Sequence, residues 1–124
     1  MEILHLSARE IVGVIADGEI TVVQVAEALI EQESRWAHIN ALVNFDAEQF
    51  LNAANIADRE FVNGEVGRLH GLPFVVKDNI DEVKFSTTAA TPALKDHLPT
   101  TQGPVIETLL GAGAIVMGKA NMHE

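Results

Sequence analysis

Apolar residues first recur at helical spacing. Ile11, Val14 and Ile15 follow Ser7, which with Glu10 has the spacing of a capping box, and Gly18 offers a stop, predicting a short first helix. Thr21 with Gln24 repeats the device. Behind it Val22, Val25, Ala26, Leu29, Ile30 and Trp36 mark one face of a longer helix, and Glu27, Glu31 and Gln32 mark the other. Ala41 to Phe45 reads as a short strand. Asp46 then opens a third helix with Phe50, Leu51, Ala54, Ala57 and Phe61 inward, ended by Asn63-Gly64.

From Leu72 the period changes. Leu72 to Val76 is an apolar run with the length and β-branched content of a buried strand, with Pro73 near its start. Asp78 and Asn79 supply turn chemistry, so Lys77 closes that strand at its carboxyl end, where open α/β sheets place their ligands. Asp81 to Gln102 has few periodic residues and many threonines, and reads as a long irregular loop of the kind that is usually functional. Pro104 suits a first helical position, Ile106, Leu109 and Leu110 give a buried side, and Ala114 to Met117 is a further strand. Strand, loop, helix, strand is a crossover unit, so neighbouring strands here should be parallel, with Lys77 and Lys119 towards one carboxyl edge.

The expected fold class is therefore α/β. Residues 1–66 form a helical lead-in and 67–124 a strand-loop-helix-strand unit, together one portion of a single domain. Both later strands are apolar on both faces and belong in a larger parallel sheet. By itself the chain should expose an unpaired edge and apolar surface, and should self-associate or take up a missing C-terminal portion.

Composition narrows the function classes. Eighteen acidic against eight basic residues give a formal charge of −10 in 124 residues, which disfavours nucleic acid and anionic membranes as partners. No apolar run approaches the length of a spanning helix, and Met1-Glu2 lacks a basic leader, so the cytoplasm is expected. Zero cysteines exclude disulfides and thiolate metal sites. His5, His38, His70, His97 and His123 are scattered without metal-ligand spacing, and neither metal nor cofactor is expected.

Lys77 has a plain reading, a solvated strand end, and a chemical one, a catalytic amine. The stretch Gly71-Leu-Pro-Phe-Val-Val-Lys-Asp-Asn-Ile80 resembles the lysine segment of the amidase signature family, hydrolases with a Ser, cis-Ser, Lys triad. Thr87-Thr-Ala-Ala-Thr-Pro-Ala-Leu94, Pro104-Val105 and Gly111-Ala-Gly-Ala-Ile-Val-Met-Gly-Lys-Ala-Asn-Met-His-Glu124 continue that family's pattern in order. The resemblance implies the N-terminal part of that family's mixed sheet with flanking helices, and amide hydrolysis. It implies that Lys77 accepts a proton from a bridging serine, which activates a second serine to attack the amide carbonyl. A lysine with a reference pKa near 10.4 must be lowered to about 7 or 8 for that task, which needs a closed pocket.

Both serines of the family's Gly-Gly-Ser-Ser-type segment lie beyond the matched stretch. Ser7 reads as a cap, Ser34 as helical and Ser86 as a loop residue, and none has the small neighbours of a nucleophile turn. The chain thus reads as the lysine-bearing portion of an amidase, inactive alone. A non-catalytic subunit or scaffold that binds a partner is the rival. Asp78 and Asn79 are candidates for orienting the lysine turn, and Ala90 stands where the family commonly has Gly. Thr87 to Leu94 lacks the Thr-Cys pattern of the relatives that transamidate aminoacyl-tRNA, and Met122-His123-Glu124 departs from their Met-Asp-Glu. A small or aryl-type carboxamide is therefore the expected substrate.

Gly113-Ala-Ile-Val-Met-Gly-Lys-Ala120 matches the spacing of a phosphate-binding loop except at its last position. Ala120 lacks the hydroxyl for Mg²⁺, and the intervening residues are strand-like. Nucleotide binding is the minor alternative, with Lys119 more plainly a strand cap.

Overall fold

The computed structural model describes residues 2–122. The readings made on His123 and on the Met122-His123-Glu124 ending lie outside the described residues in whole or in part. After a 3-10 turn at Ile3–His5 come α1 (Ala8–Ala16), α2 (Val22–Trp36), β1 (Leu42–Phe45), α3 (Ala47–Val62), β2 (Pro73–Lys77), α4 (Pro104–Gly111) and β3 (Ile115–Ala120). The caps lie where the sequence puts them. Ser7 accepts from the Glu10 amide, Thr21 and Gln24 form a reciprocal capping box, and Asp46 accepts from the amides of Glu48 and Gln49.

The three strands form one mixed sheet in the order β1-β3-β2, β3 running antiparallel to β1 and parallel to β2. The α/β class stands, and so does the parallel pairing expected of the crossover. One face of the sheet is closed by α1, α2 and α3 through Ile11, Ile15, Val22, Val25, Phe50, Ala54, Ile115 and Met117. Phe50 is 1% exposed. Burial of a side chain that size stabilises the fold by roughly 1.5–3 kcal/mol. A contact not foreseen from sequence ties the layer together: both Asp58 carboxylate oxygens, on α3, accept from the Val22 and Val23 amides at 2.8 and 3.0 Å. These are orphan donors at the start of α2, where a carboxylate also meets the favourable end of the helix dipole.

Gly71 takes φ +77°, and a Cβ there would stand 2.5 Å from Val22 Cγ2, so the entry to β2 runs hard against the helical layer.

Two expectations need correction. Trp36, placed on the inward face of α2, is half exposed, because it stands at the rim of an open apolar groove rather than under the sheet. The last strand does not stop at Met117 but continues to Ala120, so Lys119 lies within it instead of capping it. The extension carries a bulge. Phe74 pairs with Val116 but Val75 pairs with Gly118, which leaves Met117 as the extra residue. Strict alternation would put Lys119 on the face of Ile115 and Met117, under the helices. The extra residue swings it to the opposite face, where it pairs with buried Val76.

Candidate active site

Lys77 is the last residue of β2, as the run of apolar residues and the following turn predict. Its side chain is exposed, and among the described residues no hydrogen bond or ion pair reaches its amine. The closed pocket that a base requires is not formed around it. Alternation along β2 puts Lys77 on the face of Val75, which is 48% exposed and lines the open groove with Leu29, Trp36, Ile39, Leu42 and Met117. The groove has a volume of about 500 Å³ and walls that are nearly all apolar. β2, like β1, is an edge strand of the sheet among the described residues, and Val75 on it is exposed, so an unpaired edge and exposed apolar surface are both present there.

On the other face the loop after β2 folds over the sheet around Lys119. The Lys119 and Asp78 side chains are 0% and 1% exposed, with Nζ 3.4 Å from Asp78 Oδ1. Lys119 Nζ also donates to the carbonyls of Ile80 at 3.0 Å and Ser86 at 3.1 Å, and to Thr87 Oγ1 at 3.4 Å. Asp78 in turn accepts from the Thr88 amide at 3.2 Å and from the Thr88 hydroxyl. Its own amide donates to Ala120 O at 3.0 Å and its carbonyl accepts from the Ala89 amide at 2.8 Å. Asp78 is thus more than a turn former. It bonds to both strand ends and to the loop, whereas Asn79 is exposed.

Beyond Thr88 the backbone turns through two successive left-handed residues, Ala89 at φ +48° and Ala90 at φ +60°. Ala90 is the position where a glycine was expected by resemblance. For an L residue this conformation costs about 1–2 kcal/mol, so the loop holds strain that its polar anchors must offset.

The remaining candidates sort plainly. Ser7 caps α1, Ser34 is exposed on α2, and Ser86 contributes its backbone carbonyl to Lys119. His70 is buried, its Nε2 2.9 Å from Ala57 O, which makes it a packing residue that joins the β2 entry to α3. The phosphate-loop reading of Gly113 to Ala120 is not supported: residues 115–120 form a strand paired with β2, and over Gly118 to Ala120 with β1 as well, and the Lys119 amine is consumed inside the protein. Sequence reasoning missed the role of Lys119, although the signal was present. A charged residue within an apolar strand must find a buried partner, and Asp78 was the acid nearest the other strand end.

The pattern is matched by known proteins. The model of the Amidase family covers residues 24–124, and the chain belongs to that family. Mandelamide hydrolase of Pseudomonas putida is 41% identical over 121 residues, which are 97% of this chain and 24% of that protein. A glutamyl-tRNA(Gln) amidotransferase subunit of Lachnospira eligens is 37% identical over the whole chain and 26% of its own length. Among solved structures, the native peptide amidase of Stenotrophomonas maltophilia superposes with a TM-score of 0.86 at 26% identity, over 95% of this chain and 25% of that one. The chain therefore spans about a quarter of the length of the relatives it matches.

Proposed function

We propose that this chain carries the lysine of a Ser/cis-Ser/Lys amidase acting on a small or aryl carboxamide, with Lys77 as general base. The serines would come from the part of such an amidase that these residues do not span. The observation that carries the reading is an unpartnered amine at the carboxyl end of β2, on the face of an open apolar groove, within the stretch matched by the Amidase model. Desolvation of Lys77 is then the task of the remaining amidase portion, packed against the β2 edge and over Val75. In that closed state Lys77 Nζ takes the proton of the bridging serine, which takes that of the nucleophilic serine. The serine oxygen attacks the carbonyl carbon, the carbon-nitrogen bond breaks as the proton returns through the bridging serine to the leaving amine, and water hydrolyses the acyl-enzyme. A cytoplasmic location belongs to the same proposal. Carboxamide hydrolysis is favoured over transamidation by Thr87 to Leu94 and by the likeness to mandelamide hydrolase.

A chimera tests this: the chain replaces the corresponding quarter of the Pseudomonas putida enzyme, and mandelamide and a panel of arylamides are assayed. Activity is expected in the chimera and not in the 124-residue chain. Lys77→Ala should lower kcat by about 10²–10⁴-fold. Turnover by the purified chain itself, lost in Lys77→Ala, would overturn the division of labour. A folded chimera indifferent to Lys77→Ala would remove the base role. A folded but inert chimera would favour the rival reading, a non-catalytic subunit or scaffold.

A further inference from the structure

We propose that Lys119 is a positioning residue for Lys77: its buried ammonium locks the turn after β2 to the 86–90 loop, and so fixes the lysine-bearing strand end. The inference rests on the base role of Lys77. Two features of the Lys119 site point beyond mere cohesion. A fully buried ion pair contributes little net stability compared with an apolar pair of the same volume, so cohesion alone does not call for one. What an ammonium supplies, and a methyl group does not, is several directed donors from one point. Those donors gather at one point Ile80 in the turn, Ser86 and Thr87 in the loop, and Asp78, the residue directly after Lys77.

The geometry extends from there to the amine. Asp78 is held on four sides, by Lys119, by Thr88, by the Ala120 carbonyl and by the Ala89 amide. The Ile80 amide donates to the Lys77 carbonyl at 2.9 Å, closing the turn on the lysine itself. With its next residue clamped and its carbonyl engaged, the Lys77 backbone has one setting, and its side chain leaves the sheet on the groove face. The bulge at Met117 is part of the device, since it turns Lys119 to the loop face and leaves Lys77 opposite Ala120. Lys119 touches no reacting atom. It acts through Asp78 and the turn.

The test uses Lys119→Met, Lys77→Ala and their combination in the chimera, with hydrogen exchange on the 124-residue chain. Lys119→Met should lower kcat about 10²-fold, the loss expected for a catalytic group displaced by an ångström, with KM within a factor of about two. The combined variant should be no slower than Lys77→Ala alone, because a positioning residue has nothing left to position. In the chain, amides of Ile80, Thr88 and Ala89 should lose protection by at least about tenfold. An unchanged kcat in Lys119→Met, multiplicative losses in the combined variant, or unchanged protection at Ile80, Thr88 and Ala89 would each overturn the inference. If Lys119→Met does not fold, Lys119→Met combined with Asp78→Asn, which removes the stranded charge, carries the same expectations. Full activity in Lys77→Ala would be a different failure, that of the base role itself.

Discussion

The two faces of the sheet are closed by different physics. Under α1, α2 and α3 the cover is apolar and distributed: Ile15, Val22, Val25, Phe50 and Ala54 share the burial, and no single contact decides it. Over the other face, the segment from Asp78 to Gly103 contains only the short 3-10 turn Pro92–Leu94 and, besides buried Phe85, is held by directed contacts gathered at Lys119 and Asp78, with a second set at Glu82 and Gln102. Area-based cohesion is tolerant, because neighbours relax around a missing methylene. A hub of directed donors is not, because its loss strands every acceptor at once.

The largest effect should separate the faces. Lys119→Met nearly conserves volume but leaves Asp78 buried without its counter-charge, and should cost about 3–5 kcal/mol in urea unfolding. Ile15→Val, also a small change of shape at a buried site, should cost about 0.5–1.5 kcal/mol. Adding Asp78→Asn to Lys119→Met should recover part of the loss, since the stranded charge is gone. Equal costs on the two faces, or no recovery in the double variant, would erase the distinction.

A second prediction sharpens the helical side. A directed contact there, Asp58 on the first amides of α2, joins α3 to α2 as Lys119 joins turn to loop, but at a half-buried site where water can replace it. Asp58→Ala should therefore cost about 1–2 kcal/mol, the range of a lost helix cap. A cost as large as that of Lys119→Met would mean that the helical layer, too, depends on a single polar hub.

The same difference governs how much could be read from sequence. The helical layer was legible because each element announces itself locally: Ser7, Thr21 and Asp46 stand at their caps, and Phe50, Ala54 and Ala57 keep helical spacing. The pair of strands and their parallel sense followed from the apolar runs and the crossover length. The environment of Lys119 did not follow, for two reasons. A one-residue bulge at Met117 leaves no trace in a period-two pattern, yet it decides the face on which Lys119 lies. Its partners also come from Asp78, Ile80, Ser86 and Thr87, thirty or more positions away, and only tertiary structure gathers them. Lys77 was the reverse case. Its place at a strand end was visible from neighbours, while the exposure of its amine depends on the groove, which no local pattern describes.

The smallest prediction sets the same substitution on both sides of the comparison. Ala→Gly in the middle of α3, at Ala53, should cost about 1 kcal/mol, because glycine surrenders more backbone freedom on entering a helix. At Ala90 two terms compete. Glycine is again more disordered in the unfolded chain, which costs about 0.5–1 kcal/mol, but at φ +60° it relieves about 1–2 kcal/mol of left-handed strain that a Cβ imposes. The relief is the larger, so Ala90→Gly should stabilise the chain by about 0.5 kcal/mol and move the urea midpoint upward while Ala53→Gly moves it downward. Opposite signs require that the anchors at Asp78 and Thr88 hold the loop in its left-handed turn in solution. A midpoint lowered by both would show that Ala90 relaxes out of that turn, and that the polar hub constrains the loop less tightly than the sheet constrains Lys119.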